Sequence, residues 1–317
     1  MNFPTAQPRR SLWGPLPPTP LQLLLLLMTA LSVLYTGGSQ WDVPASWSDG
    51  SVVPTILPIS LADFLNRCRL GLPFGGWLLA ILGSHEMGHY LACRWHRVAA
   101  TWPYFLPAPL IFLFGTFGAV IRIRSVIPNR RALFDIAIAG PLAGFVVSVA
   151  AIVVGVQAAV GFPESSVETD GGMGILFGLP WIAATLAEWL RPEEALQMNG
   201  VLGAGWAGLL VTTLNLFPAG QLDGGHISYA VSRRLHRWLS VAALLLAIIS
   251  VEHALWLGQL PTYAVWVVVL AMMRDRHPRL MDETTTLGTS RTVLAFVALL
   301  IFVICFHWLP LQMTPLP

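Results

Sequence analysis

Two histidines and a glutamate stand together in the middle of an apolar run. His85, Glu86 and His89 form the pattern His-Glu-x-x-His within residues 71–93, which are otherwise mostly apolar. Positions i and i+4 of a helix share one face, so His85 and His89 can both direct a ring nitrogen at one metal ion. Glu86 is then close enough to accept a proton from a water molecule at that ion. Ionisable side chains in hydrocarbon are costly and generally functional, which favours a metal site over a packing role.

A second polar cluster follows at the end of a later apolar run, where residues 214–226 read Leu-Asn-Leu-Phe-Pro-Ala-Gly-Gln-Leu-Asp-Gly-Gly-His. A catalytic zinc site needs a third protein ligand and one open position, and Asp223 is the candidate ligand. Asp223 precedes Arg233 by about 15 Å of helix, and His89 precedes Arg97 by about 12 Å. Because both arginines are predicted on the same side of the membrane, the two clusters are expected to lie at similar depth and to meet.

The composition is that of a polytopic membrane protein. The chain is 55% hydrophobic and only 11% charged over 317 residues, which is far more apolar than a soluble domain requires. Its net charge is +2 with no basic face outside short loops, so no nucleic-acid partner is expected. Its three cysteines are widely separated and predict neither a disulfide framework nor a zinc–thiolate site.

Seven apolar stretches are predicted to cross the bilayer, because about 20 apolar residues span its hydrocarbon core. With a cytoplasmic N-terminus, all of the 18 basic residues except Arg67, Arg69 and Arg191 fall on the cytoplasmic side, as the positive-inside rule requires. Two segments of the opposite loops, 61–70 and 181–190, are predicted to form short interfacial helices. The predicted spans are residues 21–35, 75–95, 133–160, 202–217, 239–257, 261–273 and 292–308.

The first predicted span is interpreted as an uncleaved signal-anchor. Arg9 and Arg10 precede a proline-rich spacer and the apolar run, and no A-x-A cleavage pattern follows the run. There is also no long serine-rich transit peptide. These features predict a multi-pass protein of a prokaryotic plasma membrane, with its metal site toward the cytoplasmic side.

Together, the two polar clusters resemble the site-2 protease family of intramembrane zinc metalloproteases. The second cluster matches the pattern Asn-x-x-Pro-x-x-x-Leu-Asp-Gly at full spacing, from Asn215 to Gly224. Residues 115–141 are most similar to the PDZ-lacking branch, which has bacterial and plastid-type members. The roles implied by the resemblance are zinc ligand for His85, His89 and Asp223, general base for Glu86, and substrate polarisation or positioning for Asn215.

The residues alone leave several roles open. Asn215 either acts on the substrate or forms an interhelical hydrogen bond. His226 is either a hydrogen-bond partner of a metal ligand or an interfacial side chain. The small-residue motif of Gly140, Pro141 and Gly144 stands near the active site in the resembling family, whereas on physical grounds it indicates close helix packing.

A re-entrant β element is predicted between the second and third spans. Residues 101–109 contain three prolines and cannot form a regular helix. Residues 115–124 alternate, with Ala119, Ile121 and Ile123 on one face. A hairpin here would offer an edge strand to an unwound substrate, and the family has a re-entrant sheet at the same place. A short half-span buried against the bundle is the alternative.

The predicted fold is therefore an all-α integral membrane protein, a polytopic bundle of about six to seven transmembrane helices with a small re-entrant β element. One membrane-embedded protease domain is expected to fill residues 1–317. Its parts are a signal-anchor helix and extracytoplasmic loop in 1–70, a catalytic three-span core in 71–234, and additional C-terminal spans in 235–317.

The resemblance implies a zinc metalloendopeptidase that acts in regulated intramembrane proteolysis. Its expected cofactor is Zn²⁺, and its expected partners are the lipid bilayer and a membrane-anchored protein substrate, either a single-span protein or a remnant peptide. One alternative is a catalytically silent binder of membrane proteins, against which the intact motifs argue. The other is a metal transporter, against which the lack of a continuous polar relay through the spans argues.

Overall fold

The computed structural model describes residues 17–41, 58, 60–108, 110, 112–163, 173–273 and 280–315. The arginines of the positive-inside prediction that lie outside the described residues are Arg9, Arg10, Arg274, Arg276 and Arg279.

Helices dominate the described part of the chain, as the sequence predicts. The two short segments predicted as interfacial helices, 61–70 and 181–190, are both helical. A π-helical turn, Gly37–Trp41, continues the first helix. The α-helices are α1 (Pro20–Thr36), α2 (Leu61–Leu70), α3 (Leu72–Trp95), α4 (Arg130–Ala158), α5 (Trp181–Leu190), α6 (Gly200–Leu216), α7 (Asp223–Val231), α8 (Arg233–Trp256), α9 (Ala264–Met273) and α10 (Thr289–Cys305).

Three described helices are long and apolar enough to cross a membrane, namely α1 with its π turn, α4 and α8. Helix α3 has 24 residues, but the motif from His85 to His89 interrupts its apolar composition. Helices α6 and α10 have 17 residues each and α9 has 10. At about 1.5 Å per residue these three are shorter than a hydrocarbon core of about 30 Å. By length and composition, the structure thus supports three of the six to seven predicted spans.

The strands form three two-stranded antiparallel sheets rather than the single predicted element. Only the first sheet joins neighbouring segments. The other two join segments that are distant in sequence, and local patterns carry no information about such pairing. The sheets are β1 (Tyr104–Pro107) with β2 (Thr116–Val120), β3 (Gly161–Pro163) with β5 (Glu194–Leu196), and β4 (Met173–Phe177) with β6 (Leu311–Pro315).

The first sheet is the hairpin predicted between α3 and α4. Its regular part, Thr116–Val120, is shorter than the predicted strand 115–124, and its register shifts between Leu106 and Pro107, a residue that has no N–H to donate. Irregular pairing continues beyond β2, where the Thr101 N–H donates to Arg122 O at 3.0 Å and the Arg124 N–H donates to Ala99 O at 2.7 Å. The alternating segment therefore pairs along most of its length.

Polar side chains on α1 and its π turn hold the hairpin. Irregular backbone at membrane depth must find its hydrogen-bond partners within the protein, since hydrocarbon provides none. The helix predicted as a signal-anchor therefore also belongs to the folded core. The bonds that it donates run from Gln22 Nε2 to Trp102 O (2.6 Å), from Ser32 Oγ to Ala108 O (2.8 Å) and from Trp41 Nε1 to Leu113 O (3.0 Å).

Helices α3 and α6 both pack closely against α4. At Gly88 of α3, an added Cβ would collide with the carbonyl group of Ala139 on α4. At Gly208 of α6, it would collide with the hydroxyl of Ser148. Small residues let helix backbones approach this closely inside a membrane. Helix α4 consequently forms the wall against which the two motif-bearing segments are positioned.

Candidate metal centre

The two motif histidines lie one turn apart on the buried face of α3, with only 4% and 7% of their surface exposed. Helix α4 leaves room for their rings. An added Cβ at Gly140 would collide with the imidazole of His89, and one at Gly144 would lie 3.2 Å from Nδ1 of His85. The glycines of the small-residue motif thus lie beside the site and also permit close helix packing. Both interpretations that the sequence left open, a place near the active site and a packing role, therefore apply.

Asp223 reaches the histidines because the chain turns back after α6. Gly220 in the connecting turn has a φ of 56°, a left-handed conformation that favours glycine. At Gly224 an added Cβ would collide with the carbonyl group of Leu216, so the turn can fold this tightly only with glycine there. Asp223 is the first residue of α7, where the helix dipole favours a negative charge.

The three predicted ligand side chains meet. Nε2 of His85 lies 3.1 Å from Nε2 of His89, and the same two atoms lie 3.4 and 3.3 Å from Oδ2 of Asp223. Ligand atoms at about 2.0–2.1 Å from a tetrahedral zinc ion are separated by about 3.3 Å. The donor atoms therefore have the separations of one face of a zinc tetrahedron, with the fourth corner left for water or substrate.

The ring of His89 is oriented by a backbone group of α4. Its Nδ1 lies 2.7 Å from the carbonyl oxygen of Ile136. Because a carbonyl oxygen only accepts, Nδ1 carries the proton and Nε2 presents a lone pair toward Asp223 and His85. Such an outer partner fixes the tautomer and the direction of a metal-binding histidine.

A cleft of about 260 Å³ opens onto the three donor atoms. Glu86 lines it with 7% of its surface exposed, and its carboxylate accepts a hydrogen bond from the Ile121 N–H. Asn215, near the end of α6, also lines the cleft and places Nδ2 3.4 Å from Nε2 of His85. The predicted base and the predicted polarising residue therefore lie in the same cavity as the donor atoms.

Two further polar side chains of the cleft come from the second cluster. His226, whose role the sequence leaves open, lines the cleft one helical turn after Asp223. Gln221 also lines it and was not singled out from the sequence. Its position two residues before Asp223, inside the polar cluster, was the available signal.

The hairpin forms one border of the cleft. Ala119, Ile121 and Ile123, the face predicted from the alternation, all line it. Val120, predicted on the opposite face, lines it as well, which departs from strict alternation. Gly118, with a φ of 99°, twists the strand just before this position. A strand edge and a set of metal-binding groups thus share one cavity.

Comparison with known proteins places the chain among peptidases. Residues 74–251 match the model of Peptidase family M50. A probable zinc metalloprotease EGY1, chloroplastic, of Oryza sativa subsp. japonica is 29% identical over 305 residues, which cover 92% of this chain and 50% of the relative. The EGY2 counterpart of Oryza sativa subsp. indica is 32% identical over 77% of this chain and 44% of the relative. The EGY1 protein of Arabidopsis thaliana is 31% identical over 74% of this chain and 42% of the relative.

The chain spans about half the length of these curated relatives or slightly less. No solved structure matches it. All three relatives are chloroplastic proteins of plants. The prediction of a prokaryotic plasma membrane, made from the absence of a serine-rich transit peptide, is therefore wrong, because the relatives point to a plastid membrane.

The matched range begins in α3 and ends in α8, so it contains both polar clusters, the hairpin between them and the wall formed by α4. It covers more than half of the chain. The resemblance to site-2 proteases is thereby confirmed, and the chain belongs to peptidase family M50, a family of membrane-embedded enzymes.

Proposed function

We propose that this chain is an intramembrane zinc metalloendopeptidase that hydrolyses peptide bonds in or near the transmembrane segments of membrane-anchored proteins. The observation that carries the proposal is the triangle of donor atoms from His85, His89 and Asp223, with Glu86 in the same cleft. Two imidazoles and one carboxylate with an open fourth position are a donor set typical of catalytic zinc. The names of the relatives as zinc metalloproteases support the same metal.

The side chains of the cleft divide the chemistry between them. His85, His89 and Asp223 hold the zinc ion, which supplies Lewis acidity toward water and a carbonyl group. Glu86 accepts the proton of the attacking water and passes it to the leaving amine. The amide of Asn215 donates a hydrogen bond to the negative charge that develops on the carbonyl oxygen.

The edge formed by β2 and the irregularly paired residues that follow it positions the substrate. A transmembrane helix hides its peptide bonds in its own hydrogen bonds, so it must unwind before hydrolysis. An unwound segment can then pair with an exposed strand edge through its main chain. Support comes from the strip of Ala119, Ile121 and Ile123 beside Glu86, which would bring the paired segment against the donor atoms.

We further propose that residues 71–234 form the catalytic core, flanked by 1–70 and 235–317, within a bundle of six to seven membrane helices. The close packing of α3 and α6 on α4 supports the inclusion of these two helices in the bundle, although a polar motif interrupts α3 and α6 is short. The membrane-embedded nature of the family supports it as well.

The two rival functions have less support. A catalytically silent binder of membrane proteins would not require Glu86, which lines the cleft but is not part of the donor triangle. A transporter requires successive polar sites. Within the described residues His85, His89 and Asp223 form one metal-binding group, while Asp135 is paired with Arg291 and His96.

Cleavage of a reconstituted single-span protein tests the proposal. Glu86→Gln should lower the cleavage rate at least about a hundredfold, because general-base catalysis contributes that much or more, while zinc content stays unchanged. Glu188→Gln, at an exposed glutamate of α5, is the matched control and should cleave normally. Equal cleavage by Glu86→Gln and the wild type would remove the proposed base. Zinc uptake into vesicles without any cleavage would favour the transporter.

A further inference from the structure

A basic cavity of about 470 Å³ lies at the arginine-rich ends of α4 and α8. It is separate from the metal-binding cleft, with which it shares no lining residue. Three guanidinium groups and one carboxylate face it. The lining residues are Arg130, Tyr229, Ser232, Arg233, Arg234 and Glu283.

Two of the three arginines are held in place by the protein. Arg130 donates Nε to Ala230 O at 2.8 Å and Nη2 to Val231 O, so it caps the end of α7. Arg233 forms an ion pair with Glu283. These bonds fix the positions of the two guanidinium groups at the wall of the cavity.

The described residues do not balance the positive charge of the cavity. Arg234 is exposed and forms no ion pair with any residue that the structure describes. Glu283 is the single acidic residue of the lining. Phosphate groups are bound by such clusters of arginine through charge-assisted hydrogen bonds. The cavity thus has the charge and the donors for one phosphate-bearing group.

An apolar groove of about 390 Å³ runs between α8 and α10, with α7 as its floor. Leu235 and Leu239 of α8 form one wall, and Phe296 and Leu299 of α10 form the other. The outer wall opens to the surroundings, since Phe296 is 68% exposed and Leu299 50% exposed. Because α8 is long and apolar enough to span a membrane, an opening beside it would face hydrocarbon.

The cavity and the groove are lined by neighbouring residues of one short segment, although no single residue lines both. Ser232, Arg233 and Arg234 line the cavity, while Val231 and Leu235, on either side of them, line the groove. A charged compartment at the start of α8 and an apolar compartment along the same helix are therefore brought close together by this segment. A phospholipid has the same arrangement, with a phosphate at the membrane surface and an acyl chain below it.

We propose that this composite site binds one anionic phospholipid, with its headgroup phosphate at Arg234 between Arg130 and Arg233 and one acyl chain in the groove. A transmembrane helix of another protein could fill the groove, but it would leave the basic cavity without a matching anion. The charge of the cavity therefore favours the lipid. The site is independent of peptide hydrolysis and concerns lipid binding alone.

The groove also reaches the metal-binding turn. Leu216 and Gly224, which line its far end, flank the turn that carries Asp223. The acyl chain would therefore pack against this turn.

The proposal is tested by lipid retention. The full chain is reconstituted in nanodiscs of mixed phosphatidylcholine and phosphatidylglycerol, extracted into mild detergent, and examined by native mass spectrometry for bound lipid. The wild type should retain phosphatidylglycerol several-fold over phosphatidylcholine. Arg234→Gln should abolish the preference, and Ala295→Trp, which fills the groove, should abolish retention of both lipids. Zinc content serves as the measure that each variant is folded.

Arg237→Gln is the matched control. This arginine is exposed on the same helix, one turn beyond the cavity, and does not line it. The control should keep the wild-type preference. Equal retention of both lipids by the wild type, or the same loss in Arg237→Gln as in Arg234→Gln, would overturn the proposal. The proposal would also be overturned if inorganic phosphate stabilised the wild type and Ala295→Trp retained as much lipid as the wild type. The ligand of the cavity would then be a free anion.

Discussion

Nδ1 of His89 lies 2.7 Å from the carbonyl oxygen of Ile136 on the neighbouring helix. The site therefore depends on three segments, because α3 supplies two donor atoms, α7 supplies the third and α4 orients one of the rings. Neither polar cluster of the sequence contains a residue of α4. The close fit between α3 and α4 is consequently as important for metal binding as the donor side chains themselves.

Gly140→Ala tests this dependence. The added methyl group would collide with the His89 imidazole and displace it from Ile136. Loss of such an outer partner typically lowers metal affinity about 10- to 100-fold, and we expect an effect of that size on zinc affinity, measured by competition with a chelator.

The control for this variant is Gly83→Ala on α3. An added Cβ at Gly83 meets no atom within 4 Å, so zinc affinity should stay at the wild-type value. If Gly140→Ala bound zinc as tightly as this control, α4 would not be a determinant of the site.

How far the sequence predicts the site depends on which contacts build it. The spacing of His85 and His89 on a helix, and the similar depth expected for Asp223, were sufficient to predict the three donor residues that meet in the structure. The partner of His89 was not predictable, because a carbonyl group of Ile136 has no signature in the residue type. Gln221 was missed because it occupies an unspecified position of the pattern in the second cluster, so its residue type carried no signal.

The fold shows the same limit. Helices such as α2 and α5 follow from local patterns, and both match their predicted ranges. The pairing of β4 with β6 joins segments more than 130 residues apart, which no local periodicity encodes. Helix α1 was predicted only as a signal-anchor, and its second role in holding the hairpin was not predicted. The polar residues that carry this role, Gln22 and Ser32, are sparse within a leucine-rich run.

Ser32→Ala tests the role of α1 in holding the hairpin. The change leaves the Ala108 carbonyl without its donor, at a cost of about 1–3 kcal/mol for a buried group. We expect the cleavage rate of a single-span substrate to fall while zinc content stays unchanged, since the hairpin and not the donor set is disturbed.

Thr29→Val is the matched variant on the same helix. The Thr29 hydroxyl is buried and has no hydrogen-bond partner among the described residues, so its removal should leave cleavage unchanged. Equal effects of the two substitutions, or zinc loss in Ser32→Ala, would show that α1 acts by packing alone.

Asn215→Ala separates catalysis from metal binding. Removal of one donor to a developing oxyanion typically lowers kcat about 100- to 1000-fold. We expect a fall of that order in kcat with little change in KM and with full zinc content. Thr212→Val, one turn earlier on α6, should keep kcat because its hydroxyl only bonds back to Gly208 O. A change confined to KM would instead indicate that Asn215 positions the substrate.

Asp135 and Arg291 connect α4 with α10. Arg291 donates Nε and Nη2 to the two carboxylate oxygens at 2.8 and 2.7 Å, and His96 at the end of α3 contacts the same carboxylate at 2.8 Å. The pair is about a quarter exposed, so its coupling should be about 1 kcal/mol. A double-mutant cycle of Asp135→Asn and Arg291→Gln on thermal unfolding measures it. Strict additivity of the two changes would mean that the pair does not stabilise α10.

The central claim is that two distant sequence clusters bind one zinc ion. Elemental analysis of purified wild type, Asp223→Ala and the control Asp282→Ala tests it most directly, because Asp282 lies in a turn away from the cleft. We predict about one zinc ion per chain in the wild type and the control, and a strong reduction in Asp223→Ala, since a catalytic zinc held by three protein ligands loses one of them. Full zinc occupancy in Asp223→Ala, or none in the wild type, would contradict the account.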